Sequence, residues 1–208
     1  MQTIQAQDIT LYDLRSQFNL QYVENAQFFS EWQIVPEVSD SEKKALNRIK
    51  SNYLNLIEYP PMLENTVKMV VLSPLLDLAG FYQRPFRIST ERQVEIFGED
   101  RETKIKGKID VLVLQEQLWI LIIESKKAQF SLEPGIPQAL SYMIASPNTE
   151  KPCFGLVTNG NNFIFIKLLK QEHLQYSLSD EFTLRRTGDL NNVLSILKKL
   201  GTLVNDDS

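Results

Sequence analysis

Apolar residues recur along this chain with two periods, and the change from one to the other divides it into elements. Residues 8–32 carry Leu11, Leu14, Phe18, Tyr22 and Phe29 at helical spacing, which predicts a first helix. Ser39 followed by Glu42 is a capping-box pattern, in which each side chain satisfies a free backbone N–H of the other residue. It opens a second helix through Ala45, Leu46, Ile49, Tyr53, Leu56 and Ile57, stopped by Pro60-Pro61. A third helix, from about Met62, has Val67, Val71, Leu75 and Leu78 as its core stripe. Glu64 stands three and seven residues before the first two, on the buried face, where it can also complement the helix dipole. Pro74 should kink or restart this helix and Gly80 end it.

From Arg84 the period shortens to two, with Phe86, Ile88, Val94 and Ile96 around Ser89-Thr90-Glu91. A polar stretch, FGEDRETKIKGK, follows. Two apolar runs, IDVLVL and LWILII, then flank Gln115-Glu116-Gln117, as in a hairpin with both faces buried. Pro137 suits the first position of a helix, QALSYMIAS, that places Gln138 and Tyr142 on one face. CFGLVTNG and NFIFIKLL are two more strands joined through Asn159-Gly160-Asn161-Asn162. The chain closes with an amphipathic helix striped by Leu190, Val193, Leu194, Leu197 and Leu200, with Asp189 as start cap and Gly201 as end cap. Helices, strands, helix, strands, helix predict an α/β (α+β) chain with a central mixed sheet flanked by helices. The expected division is a helical extension over 1–60, a core over 61–170 and a C-terminal segment over 171–208.

A length of 208 residues and a hydrophobic share of 43% suit one soluble domain, with or without an appendage. The net charge of −4 argues against coating nucleic acid by bulk electrostatics. It leaves room for a local basic patch, and Arg101, Lys104, Lys106 and Lys108 stand directly before Asp110 as phosphate-facing candidates. With Cys153 and His173 the only residues of their kinds, an internal disulfide and zinc sites built on several Cys or His are excluded. Metal chemistry must therefore use oxygen ligands, which favours magnesium, manganese or calcium. The N-terminal MQTIQAQDIT lacks signal-peptide features and no apolar run approaches the ~20 residues of a membrane span, so a cytoplasmic protein without a membrane partner is expected.

The chemistry concentrates at the hairpin. With its turn centred on Glu116, Asp110 faces Ile122 and becomes a diagonal neighbour of Glu124, and Lys126 points to the same face. A two-residue turn without a bulge would instead pair Asp110 with Ile123 and send Glu124 to the opposite face. Convergence therefore requires an odd loop or a bulge. Converging carboxylates repel, and a divalent cation relieves the repulsion while a nearby lysine meets developing charge. That chemistry suits phosphodiester hydrolysis better than acyl transfer, for which no nucleophile–base pair is present.

IDVLVL followed by ESK, fourteen positions after the aspartate, resembles the D…ExK core of the PD-(D/E)XK nucleases. Gln138 and Tyr142 resemble the QxxxY motif of several branches, and Glu64 in ENTVKMVVLSPLLDLAGF resembles the acid on the first core helix. The order of these motifs from Met62 to Leu168 is most similar to the N-terminal nuclease domain of type I restriction enzyme R subunits. The resemblance implies Asp110 and Glu124 as metal ligands, Lys126 as the group that orients water or stabilises the transition state, and Glu64 as an accessory ligand through water. It implies DNA binding or active-site support by Gln138 and Tyr142 and a phosphate contact by Lys127. Asp110 follows isoleucine where the motif name has proline, a departure this divergent superfamily tolerates.

The expected function is that of a magnesium-dependent DNA endonuclease, with manganese as substitute. DNA and other subunits of a restriction system are its expected partners. R subunits continue into an ATP-driven motor, whereas GxxxxGK[ST] is absent here, so no ATP site and no translocation by this chain are expected. The alternatives are a catalytically silent DNA-binding or assembly module that kept the fold, and a nuclease of a RecB-like or junction-resolving branch.

Overall fold

The computed structural model describes residues 2–98 and 103–203, so Arg101 lies outside the described residues. Residues 8–32 do not form the single helix that their spacing predicts. Strand β1 (Gln2–Gln5) and a 3-10 turn lead into α1 (Leu11–Phe18), which Thr10 and Asp13 open as a capping box. Asn19, in the left-handed conformation, ends α1. A short β2 (Gln21–Tyr22) and a 3-10 segment (Ala26–Trp32), started by Asn25 accepting the Gln27 N–H, complete the stretch. These are capping events, which a count of apolar spacing does not register.

Helix α2 (Asp40–Leu56) opens on the Ser39/Glu42 box and buries Leu46, Ile49 and Tyr53. The third helix begins at Glu64 and runs in three pieces: α3 (Glu64–Val67), a π-helical stretch (Lys68–Leu72) and α4 (Ser73–Leu78). The wide turn lies directly before Pro74, which lacks the N–H for a regular ladder and whose ring would crowd the preceding turn. Val67, Val71 and Leu75 are buried, and Leu78 is partly so.

Nine strands form one mixed sheet among the described residues. Strands β3 (Phe86–Phe97), β4 (Thr103–Gln115) and β5 (Leu118–Ser125) are antiparallel neighbours. After α5 (Gly135–Ala145), β6 (Cys153–Thr158) pairs parallel to β5. It pairs antiparallel to β7 (Asn162–Lys170) across the Asn-Gly turn, where Gly160 takes φ +84°. Strands β8 (Leu174–Leu178) and β9 (Phe182–Thr183), like β1 and β2, had no counterpart in the periodic pattern. Helix α6 (Asp189–Thr202) closes the chain; Gly188 is its cap and Asp189 its first residue, and Gly201 lies inside it.

The sheet separates two cores. One face packs on α2, α3, α4 and α6 through Val67, Leu75, Val111, Ile123 and Leu194. The other packs on α1 and α5 through Leu14, Ile109, Ile122, Ala139 and Tyr142. No helix among the described residues is long and apolar enough to cross a membrane.

Candidate active site

The β4–β5 hairpin turns on two residues, Glu116 and Gln117, with Glu116 at φ +54°. Near the turn Gln115 pairs with Leu118 and Leu114 with Trp119; beyond a bulge at Val113/Leu114 the pairs are Val113–Leu121, Leu112–Ile122 and Val111–Ile123. Ile122 therefore stands across from Leu112, not from Asp110 as a turn centred on Glu116 would have it. One step further along this register Asp110 falls across from Glu124. The extra residue that the site requires is supplied by a bulge, not by an odd loop.

Asp110 also sits at a break in the sheet. β3 lines one edge of β4 along its length, but the other edge is shared between β5, which pairs only to Val111, and β1, which pairs only to Lys106. Residues 107–110 have no strand on that edge. In β4, Ile105 and Ile109 belong to the core under α5 and so do Leu112 and Leu114, so the alternation changes phase beside Asp110. The Ser125 backbone N–H donates to Asp110 Oδ2 at 2.7 Å in place of a ladder bond. Tyr142 approaches the gap from α5. A Cβ on Gly107 would lie 2.7 Å from its ring and hydroxyl and 2.6 Å from Ala6 Cβ, so only glycine fits there.

Glu124 ends β5 at 3% exposure. Its Oε1 meets Lys126 Nζ at 3.0 Å, and its Oε2 is buried without a hydrogen-bond partner. Burial pushes this carboxyl up to about 8, the Asp110 and Glu64 carboxylates add to the rise, and Lys126 opposes it. Lys126 Nζ also donates to Gln138 Oε1 at 2.6 Å, and Gln138 Nε2 donates to the Tyr142 hydroxyl at 3.0 Å. Gln138 and Tyr142, one helical turn apart on α5, are both buried, and burial also raises the phenol of Tyr142.

Glu64 is half-buried at the start of α3, where its charge reaches both Glu124 and Lys68. Among the described residues no three His, Cys, Asp or Glu side chains already converge to hold an ion. Two residues that sequence reasoning did not single out complete the site. Lys68 Nζ lies 2.6 Å from Asp110 Oδ1 and 3.7 Å from Glu91 Oε1. Burial works against the Lys68 charge, but Asp110, Glu91 and Glu64 outweigh it and hold its pKa above the ordinary lysine value. The available signal was spacing, since Lys68 follows Glu64 by four residues on one helix. Glu91 had no such signal: it reaches the site through a backbone at φ +54° on β3.

The basic stretch before Asp110 is largely paired with acids of β3. Lys104 and Lys106 meet Glu95 at 2.6 and 3.3 Å, and Lys108 bonds to Glu91. Lys127 is exposed over the Phe130 ring. A cleft of about 490 Å³ opens beside Asp110 and Lys68, walled by Leu72, Tyr82, Ile88 and Glu91.

Glu124 offers an oxygen to a divalent cation, whereas both oxygens of Asp110 already have partners. The unpartnered Glu124 oxygen is buried, and the Asp110 carboxylate adds to what pushes the Glu124 carboxyl up. Lys126 stands beside these acids as an ammonium.

Comparison with solved structures gives a likeness to the cryo-EM structure of the DrdV–DNA complex, with 14% identity, a TM-score of 0.47, and coverage of 74% of this chain and 96% of that one. No curated protein matches the chain. Residues 13–173 match the family described as type I restriction enzyme R protein N terminus, a span that takes in most of α1 with β2 and α2 and so begins well before Met62. With most of its length and the whole hairpin inside that match, the chain belongs to the type I restriction enzyme R protein N-terminal family.

Proposed function

We propose that the chain is a magnesium-dependent DNA endonuclease domain that hydrolyses phosphodiester bonds within a type I restriction system, with manganese as an acceptable substitute. The observation that carries this reading is Glu124: buried beside Asp110, paired to Lys126 through one oxygen and unpartnered at the other. Lys126 does not fully compensate the buried Glu124, and family membership supports supplying the missing positive charge for nuclease chemistry.

Asp110 and Glu124 would hold the cation, with Glu64 as an accessory ligand through water. When bound, the cation supplies Lewis-acid stabilisation of a phosphoryl oxygen and makes water more acidic. Lys126, held between Glu124 and Gln138, orients the attacking water or meets the charge that builds on the phosphate. Gln138 and Tyr142 keep that ammonium in place from inside α5. Lys127 is exposed to meet the DNA backbone, and Lys106 and Lys108 reach it once released from Glu95 and Glu91. Sequence recognition and translocation would come from other subunits or domains of the system.

The direct test incubates plasmid DNA with the chain and magnesium or manganese, beside Glu124→Ala and Lys126→Ala. Cleavage by the wild type that both changes abolish is the expected result, and cleavage surviving both would sink the assignment. One observation favours a second reading, a silent DNA-binding or assembly module: Asp110 is already neutralised by Lys68. In that case magnesium does not bind in calorimetry, and DNA binding is indifferent to Glu124→Ala.

A further inference from the structure

Lys68 is a half-buried cation that the proposed chemistry leaves unused. It projects from the first residue of the π-helical stretch, and its Nζ holds Asp110 Oδ1 at 2.6 Å. The other oxygen of Asp110 is taken by the Ser125 amide at 2.7 Å. That amide is fixed, because the next one along, that of Lys126, bonds to the Thr158 carbonyl at 2.8 Å and ties the end of β5 to β6. A cation that binds Asp110 through Oδ1 meets an ammonium already there, and Oδ2 has one of its lone pairs committed to the fixed amide. Two cations within bonding distance of one oxygen repel each other strongly.

Lys68 has somewhere to go. Glu91 Oε1 lies 3.7 Å from its Nζ, within ion-pair reach but beyond a hydrogen bond, so a short swing of a flexible four-carbon stem closes that contact. Glu91 is held ready from two sides. Its backbone is in the left-handed region at φ +54°, an arrangement that a non-glycine residue keeps only when its surroundings demand it, and its other oxygen is bonded by Lys108. Flanking pairs Thr90–Val111 and Arg92–Ile109 place it directly across β3 and β4 from Asp110. The cleft that these three residues border gives the side chain room to move.

Resting on the reading that Asp110 and Glu124 hold a divalent cation, we propose that Lys68 is the resident counter-ion of Asp110 and that it transfers to Glu91 when the metal binds. Loading the site is then a cation exchange, with Lys68 as a positioning residue and Glu91 as its acceptor.

The test is calorimetric titration of manganese alone into the whole chain, without DNA. Lys68→Met should tighten manganese binding roughly tenfold, because the competing charge is gone. Lys68→Gln, which keeps a donor to Asp110 and removes only the charge, should do the same if the methionine variant fails to fold. Lys68→Arg should not tighten binding. Glu91→Gln should weaken binding in the wild type by more than it does in the Lys68→Met or Lys68→Gln background, since without Lys68 there is nothing to receive. Affinity that is unchanged or weaker in the foldable charge-removal variant, or an equal Glu91→Gln penalty in both backgrounds, overturns the exchange. If manganese binding is nonetheless lost in Glu124→Ala, the metal reading survives that failure. No manganese binding by the wild type or by any Lys68 variant overturns both together.

Discussion

Lys126 reaches Gln138 Oε1 at 2.6 Å and Glu124 Oε1 at 3.0 Å, so the glutamine and the acid together fix where this ammonium points. Gln138 is in turn fixed by the Tyr142 hydroxyl and by its place in a helix turn buried on all sides. The pair of α5 residues therefore acts on the site through Lys126.

From that relationship Gln138→Ala should lower the rate of magnesium-dependent DNA cleavage roughly 10- to 100-fold by letting Lys126 drift. Because Gln138 is buried, DNA affinity measured by fluorescence anisotropy should stay unchanged. A matching fall in affinity would show that Gln138 contacts the DNA instead.

The raised carboxyl of Glu124 gives the metal-free protein a definite pH dependence. Its pKa is about 8 in the fold against an ordinary 4.5. Well below 4.5 the group is protonated in both folded and unfolded chains, and its own contribution to stability is fully present. Between 4.5 and 8 the unfolded chain gives up its proton first, so stability falls with rising pH, by up to about 1.4 kcal/mol per pH unit. In EDTA the melting temperature should decline from about pH 5 to pH 8, and Glu124→Gln should remove that component. Identical profiles for the two proteins would mean that Glu124 is already ionised in the fold.

Asp110, Glu124, Lys126 and Gln138 were legible in sequence because each is tied to an element by short-range spacing: the ends of apolar runs, a step of two on a strand, a step of four on a helix. Their convergence was legible only as a requirement. The bulge at Val113/Leu114 shifts the register where a run of four apolar residues (111–114) faces one of six (118–123), and nothing in the identity of those residues marks where an extra one will fit. Glu91, and Lys68 apart from its spacing from Glu64, were hidden for another reason, since each looks like an ordinary surface charge until the fold sets the Lys68 ammonium between Asp110 and Glu91. β1 and β2, four and two residues long, are too short to carry a period and owe their pairing to edges that distant strands provide.

Gly107 marks the place where the gap in β4 is closed by a side chain instead of a strand. Gly107→Ala adds a methyl 2.6–2.7 Å from Ala6 Cβ and from the Tyr142 ring and hydroxyl, and both residues are buried in helical segments. Overpacking of this kind costs about 1–3 kcal/mol, which urea denaturation resolves readily. The substitution should also displace Tyr142 and, through Gln138, Lys126, so cleavage should fall more than stability does. A stable and fully active variant would show that α5 can retreat without loosening the site.

Lys167 is the least expected charge in the molecule, a lysine in the apolar run of β7. Its Nζ bonds to the Phe28 carbonyl at 2.7 Å and to Glu31, and its side chain is 7% exposed against 17% for that of Glu31. It thereby pins the 3-10 segment Ala26–Trp32 across the sheet. Removing one member of a buried pair leaves the other without compensation, and Glu31 already has one buried oxygen without a partner. Lys167→Met should therefore cost about 3 kcal/mol in urea denaturation, toward the lower end for buried pairs because Glu31 retains some access to water. Adding Glu31→Leu to that variant should recover much of the loss, short of the bond to Phe28. A double variant no more stable than Lys167→Met would place the penalty in the lost carbonyl bond and the lysine's own packing, not in the stranded charge.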